Sequence, residues 1–513
     1  MTTQRKRIWP ALLFVSTLAT PALRGVDWPQ YRGPNHDGIS PETIRTNWSA
    51  EPPIQLWKVT TLGGGFSSFT VSRGRAFTLD KRDVSGTMKG VCVAFDADTG
   101  QELWATPVEN ANYQDGTGSI NGPRSTPVVD GDRVYVLSAY LSLYCLNPTN
   151  GAVIWSKNLV TEYGASNIGW QSAASPLIEG DLILLNCNGS GHRLLALQKS
   201  DGSEVWKGTD YGMTHSTPVA TTIHGIRQVI FYTSSGLVSV APESGSVLWR
   251  YSTPSCPYSS TSTAMSPTVG DDTVFCSEAY SAGGAAVRIT LDGSQLVANE
   301  RWPKNSNLRC HWATPVYCNG YFYGIFGSYS STLPLKCVEA ATGTQVWSRS
   351  GFGSGGVLLV GPYLLVLSAT GDLVLVDPTP AGYREIDRLA DVINEDCWNS
   401  PSFSNGRIYA RSTSEAICLE VSAPTPPQPL KLSPSIVSAT GPFRLHIGNE
   451  DGTPLDPGRV PGITLLAATD LVAGTNDWTP FTNEAVLTNG VLQVDDPDSV
   501  SRPQRFFKVA EPH

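Results

Sequence analysis

Arg124, Trp170 with Gln171, His215, His311 with Trp312, and Trp398 with Asn399 are residues whose types can do chemistry and whose placement repeats. Each stands just before a short segment of the kind Ser-Thr-Pro-Val. Indoles can stack a planar or sugar-like ligand, a guanidinium can pair with a carboxylate, and imidazole and carboxamide groups both donate and accept hydrogen bonds. His215 and His311 with a carboxylate such as Asp115 or Asp396 would be a donor set that several divalent ions accept, but their spacing follows no ligand pattern and no metal site is assigned. The chain has no His-Glu-x-x-His, no Gly-x-x-x-x-Gly-Lys-Ser/Thr phosphate loop and no Gly-x-Ser-x-Gly nucleophile turn. Gly63-Gly64-Gly65 lacks a following basic residue and reads as a loop. No catalytic residue is assigned.

The elements that position these residues come from an internal repeat of about 47 residues. Gly-x-x-x-Trp recurs at Gly100/Trp104, Gly151/Trp155, Gly202/Trp206, Gly245/Trp249 and Gly343/Trp347, while Gly293 with Val297 and Gly382 with Ile386 keep the spacing with a β-branched residue in place of Trp. A short strand and an Asx-like turn precede most of these glycines, as in Phe95-Asp96-Ala97-Asp98-Thr99-Gly100. Each is a predicted hairpin. Between the tryptophans runs a second strand-turn-strand, as in Ser125 to Val136, with variants starting at Ser67, Ala174, Ser216, Met265, Ala313, Ser354 and Asn399.

Units of four strands cannot bury both faces alone, and stacking them radially gives an all-β, eight-bladed β-propeller. Only seven outer strands follow the seven glycines. The eighth is supplied by Ile54 to Val59, predicted to pair with Ala416 to Leu419 and close the ring with the N-terminal end of the chain. Loops leading into the inner strands would then converge at one end of the channel, making Arg124, Trp170, Gln171, His215, His311, Trp312, Trp398 and Asn399 its mouth.

Composition agrees and narrows the partners. The 513 residues are 40% hydrophobic and 16% charged, with 49 Gly, 37 Pro and 14 Trp, which argues against a helical bundle. A net charge of -9 lacks the basic footprint of a nucleic-acid binder. Arg5, Lys6 and Arg7 ahead of the apolar run Ile8 to Ala19 predict a signal peptide over 1–22, and no later run suits a transmembrane helix. The first cysteine is Cys92, so the expectation is an exported protein, periplasmic or extracellular, without a lipid-bearing cysteine. Ten cysteines would allow five disulfides by parity. Cys145, Cys337 and Cys418 occupy equivalent blade positions, however, and are expected as small buried side chains; no pairing is assigned to the other seven.

The predicted domains are the signal peptide 1–22, the propeller 27–421, a Pro-rich linker 422–436 and a C-terminal β-sandwich-like module 437–513. The module is read from short strands at Phe443 to Ile447, Ile463 to Ala467, Val491 to Val494 and Phe506 to Val509, with Trp478 as a core or inter-sheet residue and a surface ligand-binding role as the alternative.

The Ala-x-Asp-x-x-Thr-Gly-x-x-x-Trp pattern resembles the pyrroloquinoline-quinone (PQQ) type propeller repeat. Asp27-Trp28-Pro29-Gln30-Tyr31-Arg32-Gly33-Pro34-Asn35 and Gly122-Pro123-Arg124-Ser125-Thr126-Pro127 are similar to segments of exported bacterial PQQ-like propellers. Quinoprotein alcohol dehydrogenases and an outer-membrane-protein assembly lipoprotein share this repeat, so it does not by itself set a function. The dehydrogenases hold PQQ against a disulfide of adjacent cysteines, with calcium and an Asp base. This sequence has no Cys-Cys pair, and no residue matches that base or the calcium ligands. The favoured expectation is a non-catalytic scaffold or binding protein that takes a protein, small molecule or glycan at its mouth or rim. A PQQ-dependent dehydrogenase of alcohols or sugars and a polysaccharide-binding propeller are the alternatives.

Overall fold

The computed structural model describes residues 26–108, 122–208, 211–252, 256–257, 263–280, 283–422, 429–436, 443–469, 478–500 and 505–511. The predicted signal peptide and Asp115 fall outside them. Contacts divide the chain into two units, one over Leu23–Pro424 and one containing Thr425–His513.

The first unit holds eight sheets in a ring. Blades 1 to 7 span 70–107, 128–158, 177–208, 219–251, 268–305, 316–349 and 356–389, each an antiparallel meander running from the inner to the outer strand. Blade 8 takes three strands from 402–420 and its outer strand from Ile54–Val59, in the register Ile54 to Glu420, Trp57 to Cys418 and Val59 to Ala416. The expected closure therefore holds. Across the seam, Ser402 Oγ donates to the Phe69 carbonyl at 2.6 Å, and the buried Arg411 donates to Thr78 Oγ1 and to the Leu79 carbonyl.

The Gly-x-x-x-Trp repeat is an interblade device. Trp104 donates its indole N–H to the Pro148 carbonyl in the next blade at 3.0 Å, and its ring covers Gly151. Gly151 has φ +71°, and a Cβ there would lie 2.6 Å from the Trp104 ring, so the turn conformation and the packing both demand glycine. Trp57 seats on Gly100 in the same way, and Trp206 on Gly245. The sequence reading misplaced one indole. At Gly293 the spacing points to Val297, but the hairpin of blade 5 is long, with strands Gly283–Asp292 and Gln295–Asn305, so Trp302 occupies the site and covers Gly343.

Cys145, Cys337 and Cys418 lie opposite Tyr135, Tyr323 and Tyr409 on neighbouring strands, three copies of one buried pair. No disulfide joins any of the ten cysteines in this structure.

The leader, residues 26–48, runs against the inner strands of blades 1, 2 and 7, which the sequence does not foretell. Ile39–Ser40 adds a parallel strand to the free edge of the innermost strand of blade 7, Gly356–Val360. Trp28 exchanges two 2.8 Å backbone hydrogen bonds with Val71, and Pro29 accepts from Val129 N at 2.7 Å. Arg32 is buried and donates to the carbonyls of Thr314, Asp37 and Pro315 at 2.9, 2.8 and 2.7 Å. The Glu42 carboxylate accepts the backbone N–H groups of Val26, Asn405 and Gly406.

The C-terminal unit is a sandwich of a four-stranded and a three-stranded sheet around Leu445, Ile447, Leu465, Leu492 and Val494. The expected linker 422–436 is too long. Leu430–Ile436 is an edge strand paired with Phe443–Asn449, because Leu430 and Leu432 alternate onto the core while Pro434 is tolerated at an edge. Trp478 is half-buried and carries the Lys508 ammonium 4.5 Å from its ring centroid. It is absent from the cluster of core side chains, which corrects its expected place there.

Candidate functional site

The inner strands begin with a Ser/Thr ring. Ser68, Thr126, Ser175, Thr217, Ser266, Thr314 and Ser400 occupy one position in seven blades. In blade 7 it is Gly356, four residues before Val360 at the hairpin as Thr126 is before Asp130, and a Cβ there would lie 2.5 Å from the Ser400 Cα. Neighbouring blades are laced through these hydroxyls: Ser68 N donates to Thr126 Oγ1 at 3.1 Å, Thr126 N to Ser175 Oγ at 2.8 Å, and Ser175 N to Thr217 Oγ1 at 2.9 Å. The ring fixes the height at which the preceding loops release their side chains into the channel.

Above it opens a cavity of about 390 Å³. Arg124, Trp170, His215, His311, Trp312, Trp398 and Asn399 line it, and Gln171 does not. Trp170 and Gln171 both have left-handed backbone, φ +66° and +59°. This puts the Trp170 ring on the cavity wall, its centroid 6.3 Å from that of His215 and 6.4 Å from that of His311, while Gln171 stays outside. Phe66, Tyr280, Tyr329 and, from the leader, Tyr31 complete the wall. Phe66 precedes the Ser67 start as Arg124 precedes Ser125, so the repeat carried a signal for it, while Tyr31, Tyr280 and Tyr329 lie outside the recurrent motifs.

The aromatic side chains are mutually stacked rather than loose. Trp398 lies nearly parallel to Phe66, 5.0 Å between centroids and 9° between planes, and against Trp312 at 5.3 Å. Trp312 is anchored by its indole N–H to the Ser354 carbonyl at 2.9 Å. Tyr329, 61% exposed, meets Trp398 edge-on at the rim.

The polar groups divide into occupied and open ones. Arg124 donates to the Trp170 carbonyl at 2.9 Å and lies over the Phe66 ring, so the guanidinium that the sequence offered to a carboxylate already has protein partners. His311 Nδ1 meets the Ser328 carbonyl at 3.2 Å. That contact makes Nδ1 the protonated nitrogen and leaves Nε2 an acceptor. Burial holds its pKa down to about 4. His215 and Asn399 are only 5% and 7% exposed; among the described residues no hydrogen-bond partner reaches either carboxamide atom of Asn399, while the His215 ring has only weak interactions with the backbone of Gly169 and Gln171. Burial first, then the charges of Arg124 and His311, press the His215 pKa to about 3, against a weaker opposing pull from the backbone of Gly169 and Gln171. Both histidines are neutral at physiological pH.

No group of three or more His, Cys, Asp or Glu able to hold a metal occurs among the described residues, and Asp396 is not on the cavity wall. No described residue of that wall is a carboxylate or a cysteine. Calcium takes six to eight oxygen ligands, commonly from carboxylates. The described wall therefore does not fit a calcium-bound quinone, and no step is derived through one.

Residues 88–307 match the family model described as outer membrane protein assembly factor BamB. The BamB of Moranella endobia (strain PCIT) is 24% identical over 344 residues, covering 63% of this chain and 67% of its own. The chain spans about two thirds or less of the curated relatives it matches. The crystal structure of BamB from Moraxella catarrhalis superposes with a TM-score of 0.50 at 16% identity, over 73% of this chain and 99% of that one. Quinohemoprotein alcohol dehydrogenase from Comamonas testosteroni gives a TM-score of 0.55 at 12% identity, covering 81% and 83%. At such identities the superpositions speak for the fold alone. Repeat, blade order and these matches together make the chain an eight-bladed β-propeller of the PQQ-like repeat type.

Proposed function

We propose that this chain is an exported, non-catalytic binding protein that holds a ligand in the mouth of its channel. The reading rests on Asn399, buried at the cavity wall with both carboxamide atoms unpartnered among the described residues, beside the buried and weakly held His215 ring. An unsatisfied buried polar group costs about 1–3 kcal/mol, and groups left in that state are accounted for when a ligand completes them.

The donor and acceptor count favours a glycan as that ligand. Neutral imidazole and carboxamide each present one accepting atom as well as a donor. A carboxylate would satisfy the donors but face two acceptors with its negative charge. A sugar hydroxyl donates and accepts, and its ring can lie on Trp312 or Trp398. The dehydrogenase alternative calls for carboxylate ligands and a cysteine pair, and no described residue of the wall is a carboxylate or a cysteine.

Calorimetry and intrinsic tryptophan fluorescence against a panel of neutral oligosaccharides test the reading, with Trp398→Ala and Asn399→Leu as controls. The expected result is saturable binding by the parent chain and at least a tenfold loss in both variants. Dye reduction with PQQ, calcium and a panel of alcohols would overturn it if turnover appeared.

A protein-partner reading has its own support. Leu103, Ile154, Val205 and Val346, each preceding a seam tryptophan on an outer strand, are exposed. The BamB relatives are described as outer membrane protein assembly factors. Retained partner binding after Leu103→Glu with Val346→Glu would remove this reading.

A further inference from the structure

Blades 4 and 5 share one apolar core, and two cysteines meet inside it. Cys276 lies in the second strand of blade 5, Thr273–Glu278. Cys256 lies on the connector that follows the outer strand of blade 4, Val247–Tyr251. Both are buried, and their sulfurs are 3.7 Å apart. Among the described residues this is the one recorded contact between two cysteine sulfurs of the ten. Ile230, Tyr232 and Tyr251 close over the pair from blade 4, Val274 and Val287 from blade 5. Tyr232 donates its hydroxyl to the Pro257 carbonyl and so pins the connector beside Cys256.

We propose that Cys256 and Cys276 are a disulfide-forming pair, oxidised as the chain folds in the presence of a disulfide-type oxidant. A bonded pair sits at about 2.05 Å, so the sulfurs need to close by about 1.6 Å. One thiolate attacks the oxidant's S–S bond, giving a mixed disulfide and releasing one reduced thiol. The second cysteine displaces the other half, leaving the Cys256–Cys276 bond and a second reduced thiol. Both cysteine protons and both electrons end on the oxidant. The reaction belongs to the folding chain, because in the closed core burial raises the Cys276 thiol well above its ordinary range and the nucleophile is the thiolate.

The bond would act on the mouth through the chain itself. The connector runs on to Thr263, whose carbonyl accepts the backbone N–H of His215 at 3.0 Å, and to Ala264 on the cavity wall. The proposal is nevertheless independent of what the cavity holds.

The test uses the full chain, refolded in a mixture of oxidised and reduced glutathione and then alkylated in denaturant without further reductant. The expected result is alkylation at eight of the ten cysteines, a mass lower by two hydrogens before alkylation, and a linked peptide pair containing Cys256 and Cys276. Ten alkylated cysteines, or a linked pair that excludes these two, would overturn the proposal. Because this readout needs only the parent chain, it does not depend on how Cys276→Ser folds.

Discussion

The two ends of the channel are built from the same eight inner strands and treat buried polar groups in opposite ways. At the leader end most of the buried polar groups are taken up, since Arg32 reaches three carbonyls with only its Nε left over, Glu42 takes three backbone N–H groups, and the buried His36 meets Gln30 Nε2 at 3.1 Å. At the mouth, Asn399 is equally buried and neither carboxamide atom has a partner among the described residues, while His215 is held only weakly by the backbone of Gly169 and Gln171. The fold can satisfy polar groups inside its channel, since it does so with a segment of its own chain. Leaving a whole carboxamide unsatisfied at the other end is what a site completed by a second molecule looks like.

Acid should expose the comparison most strongly. Burial holds His36 and His311 down to about 4 and His215 to about 3, against about 6.5 in the unfolded chain. Below pH 6.5 the unfolded chain takes up protons that the folded chain refuses, so stability is full above that pH and falls as pH drops toward 4. The slope is about 1.4 kcal/mol per pH unit for each histidine. Urea unfolding at pH 7.5 and 5.0 checks the sign; equal midpoints would contradict the burial of all three. A neutral ligand at the mouth should move the NMR signal of His215 and leave that of His36 in place.

Arg32→Met breaks the satisfied end. Three carbonyls lose a charged donor within the channel, and a loss of about 3 kcal/mol is expected from denaturation. The counterpart at the open end is Asn399→Leu. Removing a carboxamide without partners should leave stability unchanged or raise it by about 1 kcal/mol, while ligand affinity falls at least tenfold. If Asn399→Leu instead destabilised as much as Arg32→Met, the two ends would not differ in kind.

Much of this was legible in the sequence, for reasons that particular residues show. Trp57 announced the closing strand because it repeats the outer-strand pattern outside its expected place, and Trp57 indeed pairs with Cys418. Arg124, His215, His311, Trp312, Trp398 and Asn399 were found because each precedes an inner strand marked by its own Ser/Thr-Pro motif or a variant of it. Tyr31 could not be found that way. It reaches the cavity from a leader whose path through the channel is set by single contacts such as Arg32 to Thr314, separated by 282 positions and repeated nowhere. Trp302 was missed for a third reason, since a lengthened hairpin shifts the indole out of the Gly-x-x-x-Trp spacing without moving it in space. Periodicity reports what the blades share, and what distinguishes one blade from another lies outside its reach.

Gln171 provides the smallest and most discriminating test. It was grouped with Trp170 as a mouth residue, yet it follows Trp170 through a second left-handed residue and stays off the cavity wall. Ala tolerates φ +59° no better than Gln, so Gln171→Ala alters the side chain while leaving backbone strain as it was. Affinity should be unchanged and stability within about 0.5 kcal/mol of the parent. Trp170→Ala in the same loop should weaken binding by removing a wall of the cavity. A loss of affinity in Gln171→Ala equal to that in Trp170→Ala would mean that the whole loop, rather than the indole it presents, is what the ligand touches.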